Sequence, residues 1–462
     1  MEPTAHSHRV RVENLDELCA HGLKDLRGDA LGIAQVGLTA CDGARATAKA
    51  VAITENGISV SGVEYELAPG AKLVVLGAGK ATLPIAEALE DVLGDRIDSG
   101  AVILRRGEIT TTLQHIDVFI ADHPLPTRES VEGALELERL ANQVGPDDLV
   151  IACFTGGSSA LASLPPEGIT FEDKRRLHEV LLASGMPIAE VNAVRKHVST
   201  IKGGRLAAHI APARIINLTV SDVAGDVLDV ITDPTVVDTS TVADAISVLE
   251  DYGLWDHLPV SIRGYLHSSR AESPDLNDVE ITTELLVTGI GVCEAMVEGA
   301  RNRGYAPVIL TTTLEGEARE MGRFIADITL SSSTSSYPFT PGTVLVGCGS
   351  ENSVAIVGKG AFGDGGPGQE AALAAAMELD GSRIVTLFMD TDGSDGGTEA
   401  AGAIVDGKTV QRAAEVDLDL RKALMGHSAK EPFERLGDLI LTGATGTNVN
   451  DLFVAVIGET ES

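Results

Sequence analysis

Short apolar runs, each followed by a glycine-rich turn and then an amphipathic stretch, recur from residue 72 onward. LVVL (Leu73–Leu76), AVIL (Ala101–Leu104), DVFI (Asp117–Ile120), LVIACF (Leu149–Phe154) and RIINLTV (Arg214–Val220) read as strands with both faces buried. A strand that is apolar on both faces needs cover on both sides, which parallel sheets obtain from crossover helices. Leu83–Leu93, Ser130–Gln143 and Phe171–Ala183 have the helical spacing to supply that cover. These patterns restrict the chain to an α/β fold with a Rossmann-like, mainly parallel sheet in its first part.

A second α/β set follows the polar segment SSRAESPDLNDVE (Ser268–Glu280), which holds Pro274 and marks a boundary. It comprises a helix over Glu284–Arg303, strand PVIL (Pro307–Leu310), a helix over Glu315–Ile328 and the loop SSSTSSYPFTPG (Ser331–Gly342). Strands TVLVG (Thr343–Gly347), VAIVG (Val354–Gly358), RIVTLF (Arg383–Phe388) and LFVAVIG (Leu452–Gly458) come after it. Ahead of everything, Asn14–Ala50 carries helical periodicity and leads into a short strand-like stretch. A chain of 462 residues exceeds one ordinary core. Two domains are expected, 1–270 and 281–462.

Charge narrows the choice of partners. There are 35 Lys and Arg against 68 Asp and Glu, a formal net charge of -33 spread along the chain. Such a field repels a phosphate backbone, which argues against nucleic acid. It suits a halophilic protein, in which salt screens the self-repulsion. No apolar run approaches the ~20 residues of a membrane span, and the N-terminus lacks a signal-peptide core. The five scattered cysteines fit reduced, buried thiols. A cytoplasmic protein without a membrane partner is expected, with homodimerisation left open.

Five loops could carry chemistry at the carboxyl ends of strands. LGAGKAT (Leu76–Thr82) has Gly77 and Gly79 but Thr82 where a dinucleotide fingerprint needs its third glycine, and it lacks the GxxxxGK[ST] spacing. It remains a strand-to-helix turn with backbone amides for an anion around Gly79, plus Lys80. CFTGGSSAL offers Gly156, Gly157, Ser158 and Ser159 in the same setting; without GxSxG a nucleophilic serine is disfavoured. VRKHVSTIKGGR concentrates Arg195, Lys196, Lys202 and Arg205, with Arg195, Lys202, Val198 and Ser199 expected near one helical face. SDVAGDVLDVITDPTVVD holds Asp222, Asp226, Asp229 and Asp233, whose carboxylates suit Mg²⁺ or a general base. MDTDGSDGGTEAAG holds Asp390, Asp392 and Asp395; it superficially matches a calcium loop, but Ala401 stands where the twelfth-position glutamate belongs. Anion turns, basic residues and metal carboxylates together suit phosphoryl transfer.

GAGKA, DHPLPT (Asp122–Thr127), TGGSSAL, NAVRKHVSTIKGGRLA (Asn192–Ala207), LEGEARE (Leu314–Glu320), DTDGSDGGTEAAGAIVD (Asp390–Asp406) and GATGTNVNDL (Gly443–Leu452) occur in order across nearly the whole chain. In these stretches the chain resembles the class II glycerate 2-kinases, whose C-terminal half is the MOFRL domain. The resemblance implies a two-domain protein with its site in the interdomain cleft, which phosphorylates D-glycerate at the 2-hydroxyl using ATP and Mg²⁺. Carried onto this sequence, it implies Lys80, Arg195 and Asp222 as catalytic residues. Lys80 would be on the glycerate or transferring phosphate, Arg195 on negative charge, and Asp222 would orient or deprotonate the hydroxyl. Gly79, Gly156, Gly157, Ser158, Ser159 and Lys202 would bind substrate or phosphate, and Asp226, Asp392 and Asp395 metal. Where the family often reads GGRNQE this chain has GGPGQE (Gly365–Glu370), so the arginine is lost while Gln369, Glu370 and the nearby Lys359 remain. The competing reading is an NAD(P)H-dependent hydroxypyruvate reductase.

Overall fold

The computed structural model describes residues 10–107, 112–223, 225–349, 354 and 363–459. A small antiparallel sheet of β1 (Val51–Ile53), β2 (Gly57–Val60) and β3 (Val63–Glu66) precedes the first large sheet. That sheet is built from β4 (Leu73–Ala78), β5 (Ser99–Arg105), β6 (Asp117–Ala121), β7 (Leu149–Phe154), β8 (Arg214–Val220) and β9 (Ile281–Val287), in the lateral order β6-β5-β4-β7-β8-β9. The β6–β5, β5–β4, β4–β7 and β7–β8 pairs are parallel. Every residue of β4 and β7 is buried, as continuous apolar runs require. The helix Thr82–Leu93 buries Leu83, Ile85, Ala86, Leu89 and Leu93, a helical face laid over the strands. The helix Arg128–Ala141 starts at a capping box of Thr127 and Ser130.

From β4 the chain steps outward to β5 and β6, then returns to the other side of β4 as β7 and proceeds to β8. The strand order therefore reverses between β4 and β7. At such a switch point the connections diverge to opposite faces and leave room beyond the strand ends for a ligand.

The second large sheet is mixed. It contains β10 (Ala306–Leu314), β11 (Thr343–Gly349), β12 (Ile384–Asp390), β13 (Gly402–Asp406), β14 (Leu439–Ile440) and β15 (Asp451–Ile457), in the order β10-β11-β15-β12-β13-β14. The β10–β11 pair is parallel and the others are antiparallel. Two helices, Ala318–Ser335 and Pro367–Glu378, cross closely because Gly322 has no side chain: a Cβ there would lie 2.0 Å from the carbonyl oxygen of Ala371.

Two compact units result, and they do not follow chain order. One consists of Gly43–Ser221 and Asp226–Leu286; the other gathers the described residues up to Asp42, then Asp222–Gly225 and Val287 onward. The described residues up to Asp42, which the expected division placed in 1–270, thus group with the second unit. The reason is electrostatic and steric. Arg27, fully buried on the helix Lys24–Ala40, donates to the carboxylates of Asp406 and, at 2.7 Å, Asp438, and Tyr305 Oη donates to Asp29 at 2.6 Å. A helix that carries a buried arginine stays with the carboxylates that neutralise it. Two element expectations also change. Residues 281–287 form strand β9, so the helix begins at Gly289 and not near Glu284; the β-branched ITTELLV explains the strand. The helix from Ala318 runs to Ser335, into the expected Ser331–Gly342 loop. The expected strand VAIVG falls, apart from Val354, outside the described residues.

Candidate active site

The turns after β4 and β7 interlock at the switch point. Thr155 N donates to the Ala78 carbonyl at 3.0 Å, Lys80 N to Gly156 O at 2.9 Å, and Ala81 N to Thr155 Oγ1 at 3.1 Å. Gly79 is obligatory: its φ is +143°, and a Cβ would lie 2.1 Å from Thr155 Oγ1. The turn does not offer the amides expected of it. Gly79 N donates to Ile103 O at 3.3 Å and Thr82 N to Gly79 O at 3.4 Å, so the amides of residues 79–82 are all engaged within the protein. Gly79 therefore shapes the turn and is not an anion donor. The following turn is different. Among the described residues the amides of Gly156, Gly157 and Ser159 have no acceptor, and all three residues are half-exposed. Gly157 has φ +87°, and a Cβ on it would lie 3.4 Å from both Lys80 Cγ and the His123 ring. Lys80 and His123 thus flank the unsubstituted face of Gly157, beside Ser158 and Ser159.

The basic segment sorts into three structural cations and one of another kind. Lys196 pairs with Asp229 at 3.0 Å and Asp238 at 3.1 Å. Arg205 donates to the carbonyls of Lys196, Lys202 and Ala271. Lys202 is fully buried with its Nζ 3.5 Å from Asp233. The helix Ile188–Lys196 ends before it, so Arg195 and Lys202 share no helical face. Burial lowers the Lys202 pKa, although Asp233 favours its charge, and its Nζ has no hydrogen-bond partner among the described residues. Arg195 stands apart. It is 5% exposed, its Nε is buried without an acceptor, and its side chain makes no hydrogen bond or ion pair among the described residues.

Positive charge accumulates around it. Burial, Lys80, Arg105 and Arg195 together push the His123 pKa down to about 4, so its imidazole is neutral at pH 7. Burial also lowers Arg195 to about 10, although Asp233 favours its charge. Behind it, burial holds Lys174 and His178 well below their ordinary values, and the cations Lys202 and Arg195 add to the shift. Crowded cations and burial thus favour the neutral forms of His123, Lys174 and His178, while Asp229, Asp233 and Asp238 offset Lys196 and Lys202.

The aspartate loops divide between the two units. Asp222 follows β8 but clusters with the second unit, where Asn450 Nδ2 donates to its carbonyl and Asn448 Nδ2 approaches its Oδ2 at 3.5 Å. Asp226 is half-buried in the first unit with φ +55°. In the second unit, Asp392 Oδ1 accepts from Ser394 N at 2.8 Å. Asp395 is 1% exposed and accepts from Gly368 N at 3.0 Å and Gln369 N at 2.7 Å, capping the helix Pro367–Glu378. With both oxygens held inside the core it does not suit a metal, which corrects its expected role. Among the described residues no group of three or more His, Cys, Asp or Glu is placed to hold a metal ion. In GGPGQE, Pro367 occupies the first turn of that helix, a favoured position for proline. Glu370 joins Arg319 at 2.8 Å and His427 at 3.0 Å, and Gln369 Nε2 donates to Thr398. Lys359 lies outside the described residues.

The expectations missed His123 and Asn192. His123 sits just beyond the end of β6, inside DHPLPT, and its position past a parallel strand was the available signal. Asn192 lies one helical turn before Arg195 with an unpartnered, buried side-chain oxygen, which no sequence pattern announces.

Comparison with known proteins places the chain among relatives. The family described as a domain of unknown function (DUF4147) matches residues 29–267, and the MOFRL family matches residues 344–451. A glycerate 2-kinase of Pyrococcus horikoshii is 38% identical over 94% of this chain and 98% of its own length. A solved glycerate kinase of Thermotoga maritima superposes with a TM-score of 0.80 at 33% identity, over 92% of this chain and 97% of that one. A protein of Agrobacterium vitis with the provisional name hydroxypyruvate reductase is 39% identical over 84% of this chain and 88% of its own.

Proposed function

The chain belongs to the glycerate 2-kinase family with a MOFRL C-terminal domain, and from that membership we propose that it phosphorylates the 2-hydroxyl of D-glycerate with ATP, giving 2-phosphoglycerate and ADP. The observation that carries the reading is Arg195: a side chain 5% exposed that makes no hydrogen bond or close ion pair among the described residues, its charge favoured by Asp233 and felt at His123. A buried arginine in this state is costly unless a ligand anion completes it.

In this reading Arg195 receives the glycerate carboxylate through a charge-assisted hydrogen bond. The amides of Gly156, Gly157 and Ser159, with the Ser158 and Ser159 hydroxyls, hold phosphate oxygens. Lys80, next to Gly157, faces the group in transfer and offsets its developing charge. His123 stays neutral, so it contributes hydrogen bonding without adding a proton that titrates near pH 7. Asp222 orients the 2-hydroxyl and takes its proton as the oxygen–phosphorus bond forms; little base strength is needed when the transition state is loose. ATP would supply the phosphoryl group, and a Mg²⁺, if bound, would offset phosphate charge, with Asp226 and Asp392 as the carboxylates proposed to hold it.

An NADH-dependent reductase is the weaker reading. Pyrophosphate binding at a Rossmann turn needs available amides and a third glycine, whereas here the amides of residues 79–82 are engaged and Thr82 stands where that glycine belongs. The deciding assay incubates the protein with D-glycerate, ATP and Mg²⁺ and couples product to enolase alone. Direct turnover supports the 2-kinase. Turnover that needs an added phosphoglycerate mutase identifies a 3-kinase, and NADH oxidation with hydroxypyruvate in the absence of phosphorylation overturns the kinase reading.

A further inference from the structure

The helix Ile188–Lys196 presents two unsatisfied polar side chains on one face. Val191 and Val194 enter the hydrophobic cluster of Leu177, Leu181 and Ile262. Asn192 and Arg195 are offset from those valines and three residues apart, which places their Cβ atoms about 5–6 Å from each other. Asn192 is 6% exposed, and its Oδ1 is buried with no donor among the described residues. Nothing about the packing requires an amide there, and a leucine of similar size would remove the orphaned oxygen. A buried amide oxygen without a donor beside a buried guanidinium without an acceptor is the complement of one ligand that brings both an anion and a hydrogen-bond donor.

Resting on the kinase reading, we infer that Asn192 sets substrate specificity by accepting a hydrogen bond from the 3-hydroxyl of glycerate whose carboxylate is held by Arg195. The 2-hydroxyl is the group that is phosphorylated, so the 3-hydroxyl is the donor left over. The carboxylate and 3-hydroxyl are the two ends of a three-carbon acid, and they reach side chains one helical turn apart. A site that leaves a buried acceptor unpaired penalises the analogue lacking the hydroxyl. This role is distinct from that of the Lys80 and Gly157 turn, which faces the transferring phosphate.

The experiment measures KM for D-glycerate and the inhibition constant of D-lactate, which differs by the absence of the 3-hydroxyl, in wild type, Asn192→Leu and Asn192→Ser. Asn192→Leu is expected to raise KM for D-glycerate about 10- to 100-fold and to change the D-lactate constant less than about 3-fold. Asn192→Ser, which keeps a small acceptor, falls between. Neither constant depends on the fraction of enzyme that folds. Equal changes in both constants, or an unchanged KM, overturn the inference while the kinase reading survives. If neither variant folds, the amide serves the interior and the inference is overturned. A wild type that leaves D-glycerate unphosphorylated brings down the kinase reading and this inference together.

Discussion

Lys80 owes its position to two glycines in neighbouring turns. Gly79 lets the chain turn against Thr155, and Gly157, at φ +87°, leaves the gap flanked by the lysine and His123. If Lys80 acts on charge that develops during transfer, its loss appears in kcat more than in KM. Lys80→Met is expected to lower kcat by about 10²–10³, the usual cost of removing one preorganised electrostatic contact, with KM within a few-fold of wild type. Steady-state kinetics with D-glycerate and ATP decide it. A raised KM at unchanged kcat would instead make Lys80 a ground-state binder.

Asp395 acts at the scale of an element, as the side-chain cap of the helix Pro367–Glu378 that packs against Ala318–Ser335. Its carboxyl is buried, and burial, with the nearby Asp392, raises its pKa to about 7 despite two backbone amide donors. A carboxyl whose folded pKa exceeds its unfolded value of about 3.9 holds a proton in the folded state that the unfolded chain has released. Its contribution therefore weakens as pH rises from about 4 to about 7 and is constant above that. In urea unfolding followed by circular dichroism, wild type should lose stability relative to Asp395→Asn between pH 5 and 7, on the order of 1 kcal/mol per pH unit. Parallel profiles for the two proteins would rule this out.

Over the whole molecule, a net charge of -33 opposes compaction wherever the charges are unscreened. Lys174, Lys196 and Lys202 are buried and do not dilute the acidic surface, whereas Lys24, Lys49, Lys72, Lys408 and Lys422 are exposed on it. Raising KCl shortens the screening length from about 10 Å at 0.1 M to about 3 Å at 1 M. Melting temperature and kinase activity are both expected to rise over that range, as measured by a thermal shift series and the enolase-coupled assay. A melting temperature independent of salt would show that the acidic surface is not a halophilic adaptation.

The apolar runs of β4, β7 and β8 and the periodicity of Thr82–Leu93 specified an α/β fold by themselves, because burial on both faces and helical spacing are local patterns. The glycine turns and the basic segment also stood out in the sequence, since in so acidic a chain four cations within twelve residues are conspicuous. What each of those groups does was decided by tertiary structure. Partner distance separates Arg195 from Lys202, and carbonyls of Ile103, Gly156 and Gly79 with the Thr155 hydroxyl engage the amides of residues 79–82 but leave those of Gly156 and Gly157. Asp406 and Asp438, 379 and 411 residues away, draw the helix bearing Arg27 into the second unit. A sequence shows which residues carry charge and hydrogen-bonding groups; only the fold settles which of those groups are already satisfied, because desolvation and pairing depend on neighbours distant along the chain.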